Sequence, residues 1–329
     1  MKRNILCTLV IVCFLCCLSN FALAQDKIIL TLGHDTAVGG IQDRATNIIA
    51  QVAKEKSNGR LEIHIFPANQ LGTAVSQFES VIAGSQDLIW TDLTNLANFV
   101  KDYNILTMAY AFRDQDHMNN FMKSPTGQEL KEKLLDKGIL MLREHANMLP
   151  RIVVSKKLVK TPDDVEGIKM RVPGIPIFQK VWEAMGTKTV LVPWGETYLA
   201  LSQGVMDAME CGFEFVYESK FYEVAKYVAL TNHARGLRGM FINPDLYEGL
   251  PEDLKDVLME AAIAGEKYYN EQSELAAIEQ RKWLVEKAGV TITEVDQDVW
   301  NAKIAGLADQ LEEEGFWSKG LYEKVQEVK

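Results

Sequence analysis

The sequence predicts an α/β fold arranged as two lobes, and three observations carry this prediction. Short apolar strands alternate with amphipathic helices along the chain, which is typical of α/β layers with a largely parallel sheet. One helical pattern, from Pro251 to Lys287, would be roughly 55 Å long at about 1.5 Å per residue, which exceeds one domain diameter. The length of 329 residues suits two domains of ordinary size. We therefore expect one long helix that spans both lobes.

The first elements are predicted from apolar periodicity and from the residues that end each element. A strand at 28–32 precedes a helix at 41–56, which ends at Asn58-Gly59 because these residues tolerate a positive φ. The alternation over 61–66 predicts a second strand. The elements that follow are a helix at 73–83, a strand at 88–90, and short strands at 138–142, 151–155, 168–172 and 189–192 with helices between them.

The segment that begins at Pro251 is predicted to be a single helix. Proline suits the first helical turn, and Glu252 and Asp253 are favourable at the positive end of the helix. Apolar residues recur at helical spacing up to Lys287. The alternative is a pair of helices broken near Gly265.

The composition excludes several other classes of protein. Apolar residues make up 47% of the chain and charged residues 24%, a balance that excludes collagen, low-complexity disorder and a disulfide scaffold. The net charge of −10 makes the chain a poor candidate for binding the phosphate backbone of nucleic acid. We therefore expect no nucleic acid among its partners.

Residues 1–24 are predicted to form a cleavable signal peptide. Lys2 and Arg3 give a positive start, an apolar run follows, and Ala22-Leu23-Ala24 fits the small-x-small rule for cleavage. The run is too short for a permanent transmembrane helix. A lipoprotein is the alternative interpretation, because four cysteines lie nearby, but no Gly or Ala precedes them as that modification requires. We therefore expect a periplasmic protein without a membrane anchor.

Motifs of the common enzyme classes are missing from the sequence. It contains no phosphate-binding Walker A loop, no G-x-G-x-x-G after a strand and no G-x-S-x-G elbow. The five histidines are scattered, with no spacing that would hold zinc. We therefore expect neither an enzyme nor a bound cofactor or metal.

An ordered set of segments carries the functional signal. The segments are Glu55–Arg60, Phe66–Gly72, Ile168–Pro173, Pro193–Leu201, Gly204–Glu210, Phe221–Tyr227 and Leu230–His233. Together they resemble the extracytoplasmic solute-binding proteins of TRAP transporters, the C4-dicarboxylate-binding (DctP-type) family, over essentially all of the mature chain. The resemblance implies a periplasmic-binding-protein fold with a ligand cleft between two lobes, two crossing connections and one long helix spanning both.

The resemblance also implies a domain division and partners. Lobe one is expected to contain residues 25–148 plus 237–276, and lobe two residues 149–236 plus 277–329. The expected partners of this monomer are a small organic anion and the small and large membrane subunits of a permease. A receptor that feeds a sensor kinase, and a periplasmic enzyme on the same scaffold, are the alternatives.

The central ligand contact of the family is the arginine of its R-V-P segment, here Arg171. A guanidinium presents a planar fork of donors that matches a carboxylate, and it stays charged when buried. From the residue alone, a surface arginine on a strand edge is the alternative.

Four further residues are candidates for the ligand site by the same resemblance. Arg151 is a second ligand contact, with a hinge or salt-bridging arginine as the alternative. Asp92 accepts hydrogen bonds from the ligand, pairs with a cleft arginine, or does both. Trp194 lines the cleft or packs in the core, and Asp35 is a weaker candidate of the same kind as Asp92.

The sequence departs from the family pattern at one position. Many members carry asparagine directly after the glutamate of a G-x-x-D-x-x-E segment, where it hydrogen-bonds the ligand carboxylate. Here Cys211 follows Glu210. Because a thiol is a weak donor and a weak acceptor, we expect a pocket with atypical specificity.

Overall fold

The computed structural model describes residues 27–329, so the predicted signal peptide lies outside the described part of the chain. The strands are β1 (Ile28–His34), β2 (Leu61–Phe66), β3 (Leu88–Asp92), β4 (Leu140–Ser155), β5 (Lys169–Val172), β6 (Lys188–Leu191), β7 (Ala208–Gly212), β8 (Tyr227–Ile242) and β9 (Thr291–Glu294). The α-helices are α1 (Ile41–Lys56), α2 (Ala74–Ile82), α3 (Gln115–Lys123), α4 (Pro125–Leu135), α5 (Pro176–Ala184), α6 (Thr197–Gln203), α7 (Glu214–Glu218), α8 (Pro244–Gly249), α9 (Glu252–Glu286), α10 (Gln297–Lys303), α11 (Leu307–Glu313) and α12 (Leu321–Glu327).

The strands form one mixed sheet in the order β2-β1-β3-β8-β4-β7-β5-β6, with β9 beside β8. In the first half of the sheet, β1 runs parallel to β2 and β3, and in the second half β5 runs parallel to β6 and β7. Between the halves, β8 and β4 run antiparallel to each other, β8 runs antiparallel to β3, and β4 runs antiparallel to β7, whereas β9 is parallel to β8. The prediction of an α/β fold is confirmed. The prediction of a largely parallel sheet holds for each half of the sheet but not for its centre, where the strands are antiparallel.

Two central strands differ from the prediction, because β4 is much longer than predicted and β8 lies where no strand was predicted. Strands β4 and β8 have 16 residues each, and β4 joins the two short strands predicted at 138–142 and 151–155. The segment between those two contains several polar residues, and some of its polar groups find partners on the long helix α9. Arg143 pairs with Glu266 at 2.7 Å, and the backbone N–H of Asn147 donates to Asn270 at 2.7 Å. These strands carry the chain from one half of the molecule to the other.

Helix α9 is a single helix of 35 residues, so the two-helix alternative is wrong. Gly265 lies in its middle for a reason of packing. A Cβ atom there would lie 2.4 Å from Cγ1 of Ile49 and 3.0 Å from the backbone oxygen of Ala45, both on α1. Gly265 therefore permits the close approach of α9 to α1 without breaking the helix.

Three apolar clusters form the core. One packs α1 and α9 against the first half of the sheet and contains Leu32 and Leu258, and another surrounds α6 and α7 in the second half and contains Met209. The largest brings both halves together with the C-terminal helices, and includes Phe121 and Trp300. Within residues 27–329, no helix has the length and apolar character needed to cross a bilayer.

Candidate functional site

Two adjoining cavities lie where the carboxyl ends of strands from both halves of the sheet meet. The outer cavity has a volume of about 510 Å³, and a smaller space of about 70 Å³, here called the inner recess, shares several of its lining residues. Ligands of open α/β sheets bind in the crevice beyond the carboxyl ends of the strands. This is therefore the candidate ligand site.

The structure brings all six predicted site residues together around the inner recess. They are Asp35, Asp92, Arg151, Arg171, Trp194 and Cys211. They come from segments up to 176 positions apart in the sequence, between Asp35 and Cys211, so their convergence is a property of the fold. That they bind a ligand stays a prediction.

Arg171 is buried at the carboxyl-terminal part of β5, with a side chain that faces both cavities. The residue is 2% exposed, so the alternative of a surface arginine is wrong. Its Nε donates to the backbone oxygen of Val192 at 2.9 Å, and its guanidinium carbon lies 5.6 Å from the ring centroid of Trp194. Among residues 27–329, no carboxylate lies within ion-pair distance of it. Burial lowers the pKa of Arg171 to about 10, which leaves the guanidinium charged at pH 7.

Arg151 is buried on β4 and already has two carboxylate partners. Its Nη2 donates to Oε1 of Glu210 at 2.9 Å, its Nε donates to the other oxygen of the same carboxylate, and its Nη1 donates to Asp92 at 3.0 Å. Burial acts to raise the pKa of Glu210, but the charge and hydrogen bonds of Arg151 outweigh it and hold that pKa well below its ordinary range. Both Arg151 and Asp92 thus take the ion-pair roles that were their alternatives.

Arg238 on β8 is a third arginine at the inner recess, and the sequence prediction missed it. Its Nη1 donates to Asp35 at 3.0 Å, and its guanidinium carbon lies 5.4 Å from the ring centroid of Phe215. The signal available in the sequence was a single charge inside the otherwise apolar segment Gly236–Ile242. The place of Arg238 at the inner recess could be recognised only once that segment was known to be a buried strand.

The three carboxylates Asp35, Asp92 and Glu210 pair with only two of the three arginines at the inner recess. Arg151 is paired with Glu210 and Asp92, and Arg238 is paired with Asp35. Arg171 is the guanidinium that these carboxylates leave without a partner. A single added negative charge beside Arg171 would find a cation that no protein carboxylate occupies.

Cys211 lies on β7 at the wall of the inner recess and is 1% exposed. Burial, together with the negative charge of Glu210, raises the pKa of the Cys211 thiol well above its ordinary value. The side chain is therefore a small neutral group beside the arginines, and it offers a ligand carboxylate only a weak hydrogen bond.

A second buried carboxylate lies just behind the recess. Glu214 begins α7, and its Oε1 accepts a hydrogen bond from the hydroxyl of Tyr269 at 3.4 Å, while its Oε2 has no hydrogen-bond partner. Burial, with a further contribution from the charge of Glu218, raises the pKa of Glu214 to about 7. The folded protein therefore holds a proton on Glu214 that the unfolded chain releases near pH 4.5.

This raised pKa predicts a pH-dependent loss of stability. A folded-state pKa above the unfolded value gives stabilisation that is fully present below the unfolded pKa and lost as pH rises through the folded one. We expect Glu214→Gln to remove up to about 3 kcal/mol of this pH dependence between pH 4.5 and pH 8. Urea unfolding of both proteins at pH 4.5, 6 and 8 measures it. Parallel pH profiles for the variant and the wild type would contradict the assignment.

Comparison with known proteins shows which family the chain resembles. The model of a family described as bacterial extracellular solute-binding protein, family 7 (DctP) matches residues 32–314. The chain is 28% identical over 275 residues to the 2,3-diketo-L-gulonate-binding periplasmic protein of Escherichia coli, covering 83% of each chain. It is 26% identical over 262 residues to the C4-dicarboxylate-binding periplasmic protein of Vibrio cholerae, covering 78% of this chain and 77% of the relative.

Solved structures agree with these relatives. A TRAP periplasmic solute-binding protein from Fusobacterium nucleatum, with bound sn-glycerol-3-phosphate, has a TM-score of 0.85 at 28% identity and covers 91% of this chain and 96% of its own. A TRAP periplasmic solute-binding protein from Actinobacillus succinogenes, with bound L-galactonate, has a TM-score of 0.85 at 26% identity, with 92% and 99% covered. The prediction of a two-lobed binding-protein fold is confirmed, and the chain belongs to the DctP family of bacterial extracellular solute-binding proteins.

Proposed function

We propose that this chain is the periplasmic solute-binding subunit of a TRAP transporter and that Arg171 binds the carboxylate of its ligand, a small organic acid. The observation that carries the proposal is a buried guanidinium that faces the cavity and has no carboxylate partner among the described residues. Family membership supports it, as do relatives named for 2,3-diketo-L-gulonate and for C4-dicarboxylates.

The proposed mechanism is capture by closure of the cleft. The organic acid enters between the two halves of the molecule, and Arg171 donates to its carboxylate while the halves close around it. Closure removes water and so strengthens the ion pair. The closed monomer, exported by its signal peptide and performing no catalysis, then delivers the ligand to the small and large membrane subunits of the permease.

The charges of the outer cavity narrow the proposed ligand to a monocarboxylate with hydroxyl groups. Among residues 27–329, Arg171 is the one cationic residue in the lining of this cavity. The lining also contains two carboxylates, from Asp35 and Glu196, and two amides, from Asn69 and Asn95. Asp35 is already paired with Arg238, so a second carboxylate at the far end of a ligand would find no free cation among the described residues that line the outer cavity and would lie near the negative charge of Glu196. Hydroxyl groups, in contrast, can donate to the carboxylates and amides.

The helix N-terminus that also faces the outer cavity does not alter this conclusion. Residues 73–75 line the cavity at the start of α2, where a helix dipole favours negative charge. The side chain of Thr73 already caps this end, because it accepts a hydrogen bond from the N–H of Ser76. A hydroxyl group of the ligand can accept hydrogen bonds from the remaining N–H donors.

The test compares D-gluconate with D-glucarate, which share a six-carbon chain and the hydroxyls on C2–C5 and differ only at the far end. We expect D-gluconate to bind at least about tenfold more tightly at pH 7.5, since a carboxylate placed near like charges and without a partner costs more than 1.4 kcal/mol. Isothermal titration calorimetry measures both affinities. Equal or tighter binding of D-glucarate would contradict the monocarboxylate proposal.

A broader screen tests the proposed class of ligand separately from the proposed solute-binding function. Thermal unfolding is followed in a panel of aldonates, uronates, dicarboxylates and phosphate esters, because a ligand that binds only the folded state raises the unfolding temperature. Stabilisation by a dicarboxylate alone would keep the solute-binding function and reject the narrower class. Stabilisation by amines or neutral sugars, and by no acid, would reject the role of Arg171.

A further inference from the structure

A carboxylate outside both cavities connects the two halves of the molecule. Oε1 of Glu218, at the end of α7 in the second half, accepts the backbone N–H of Ile41 at 2.8 Å. Ile41 is the first residue of α1, which packs against the first half of the sheet. Gly40, the residue before this helix, has no side chain with which to cap it.

The local geometry is shaped for this contact. A Cβ atom at Gly40 would lie 2.9 Å from Oε2 of Glu218, so a larger residue there would push the carboxylate away. The N-terminus of a helix has free N–H groups and a partial positive charge, and a carboxylate stabilises both. Glu218 therefore supplies from the opposite half the cap that α1 lacks in its own sequence.

The same short helix α7 also contacts the ligand site. The ring of Phe215 lines the inner recess and packs edge-on against Trp194, with centroids 5.0 Å apart. At the other side of the contact, α1 follows the segment that carries Asp35, another residue of the recess. Glu218 itself lines neither cavity.

We propose that Glu218 is a positioning residue that caps α1 from the opposite half of the molecule and holds the two halves of the cleft against each other. Ligand affinity then depends on a carboxylate that touches no ligand. Opening of the cleft separates α7 from α1 and breaks this hydrogen bond, so the contact favours the closed arrangement over the open one. Its loss weakens binding by making closure less favourable.

The variants Glu218→Ala and Glu218→Gln test the proposal, with Glu223→Ala as the control. Glu223 is a neighbouring carboxylate that accepts a hydrogen bond from the hydroxyl of Tyr198 and makes no hydrogen bond or ion pair with the described residues of α1. From the usual effect of removing a helix cap, we expect Glu218→Ala to weaken the binding of D-gluconate about fivefold. The amide oxygen of Glu218→Gln still accepts the N–H, so this variant should stay within about twofold of the wild type, as should the control.

Amide hydrogen exchange at Ile41 provides a readout that needs no ligand. We expect slow exchange in the wild type and in Glu218→Gln, and exchange at least about tenfold faster in Glu218→Ala, because the N–H then has no acceptor. This result stands whether or not D-gluconate proves to be a ligand, so the proposed function and this proposal fail separately.

Two results would overturn the proposal. One is exchange at Ile41 that is equally fast in the wild type and in Glu218→Ala. The other is a fall in the free energy of unfolding of the ligand-free variant with unchanged affinity for the acids that bind, which would show a contact that stabilises the fold without affecting closure.

Discussion

Replacement of Arg171 by alanine is expected to weaken ligand binding at least about 100-fold. A bidentate ion pair makes two charge-assisted hydrogen bonds, each worth about 1.5–3 kcal/mol, and about 1.4 kcal/mol corresponds to a tenfold change in affinity. No neighbouring cation can replace Arg171, since Arg151 and Arg238 are both held by protein carboxylates. Calorimetry with the tightest-binding acid of the screen measures the loss.

Two controls separate this effect from misfolding. Arg171→Lys keeps the charge but loses the planar fork, and we expect it to bind more weakly than the wild type and more tightly than Arg171→Ala. The ligand-free Arg171→Ala protein should unfold at no lower denaturant concentration than the wild type, because a buried charge without a carboxylate partner is removed. Affinity within a few-fold of the wild type would show that the carboxylate binds elsewhere.

Replacement of Glu210 by alanine is expected to reduce the free energy of unfolding by about 3–5 kcal/mol, the usual cost of leaving one partner of a buried ion pair alone. Glu210 is fully buried and binds Arg151 through both oxygens. Asp92 alone would then face the guanidinium, through a single hydrogen bond. Urea unfolding at pH 7 measures the change.

A triple variant distinguishes the lost charges from lost packing. Arg151→Met combined with Glu210→Leu and Asp92→Asn removes all three charges of the ion-pair network and nearly keeps the volume, so it should be more stable than Glu210→Ala. Glu223→Ala serves as the exposed control and should cost less than about 1 kcal/mol. A cost below about 1 kcal/mol for Glu210→Ala would mean that the pair contributes little to the fold.

The elements with local signals were predictable from the sequence. Helix α1 and the 35-residue helix α9 follow from apolar periodicity and from the residues at their ends. The candidate site residues could be named from the sequence because they lie within segments that resemble one family, and Arg171 is buried and without a carboxylate partner among the described residues. That these residues bind a ligand stays a prediction.

The features that escaped prediction depend on contacts between residues distant in sequence. The middle of β4 was not predicted as strand because it is rich in polar residues, and its contacts with Glu266 and Asn270 on α9 join positions more than 100 residues apart in the sequence. Arg238 could not be placed in the site until β8 was known to pair with β3 and β4. The burial of Glu214 likewise requires α9, more than 50 positions away.

The two long strands have a mechanical consequence for how the cleft moves. The chain passes between the halves inside β4, β8 and α9, so no slack linker joins them. The β4–β8 pairing shows register irregularities between Met148 and Arg151 and between Arg151 and Val153, and such irregularities let paired strands bend. We expect the halves to rotate as rigid bodies through a limited angle, because bending of the paired strands produces an elastic restoring force. Arg151 lies at this bend, and its ion pairs with Asp92 on β3 and Glu210 on β7 therefore join the two halves at the point where the strands flex.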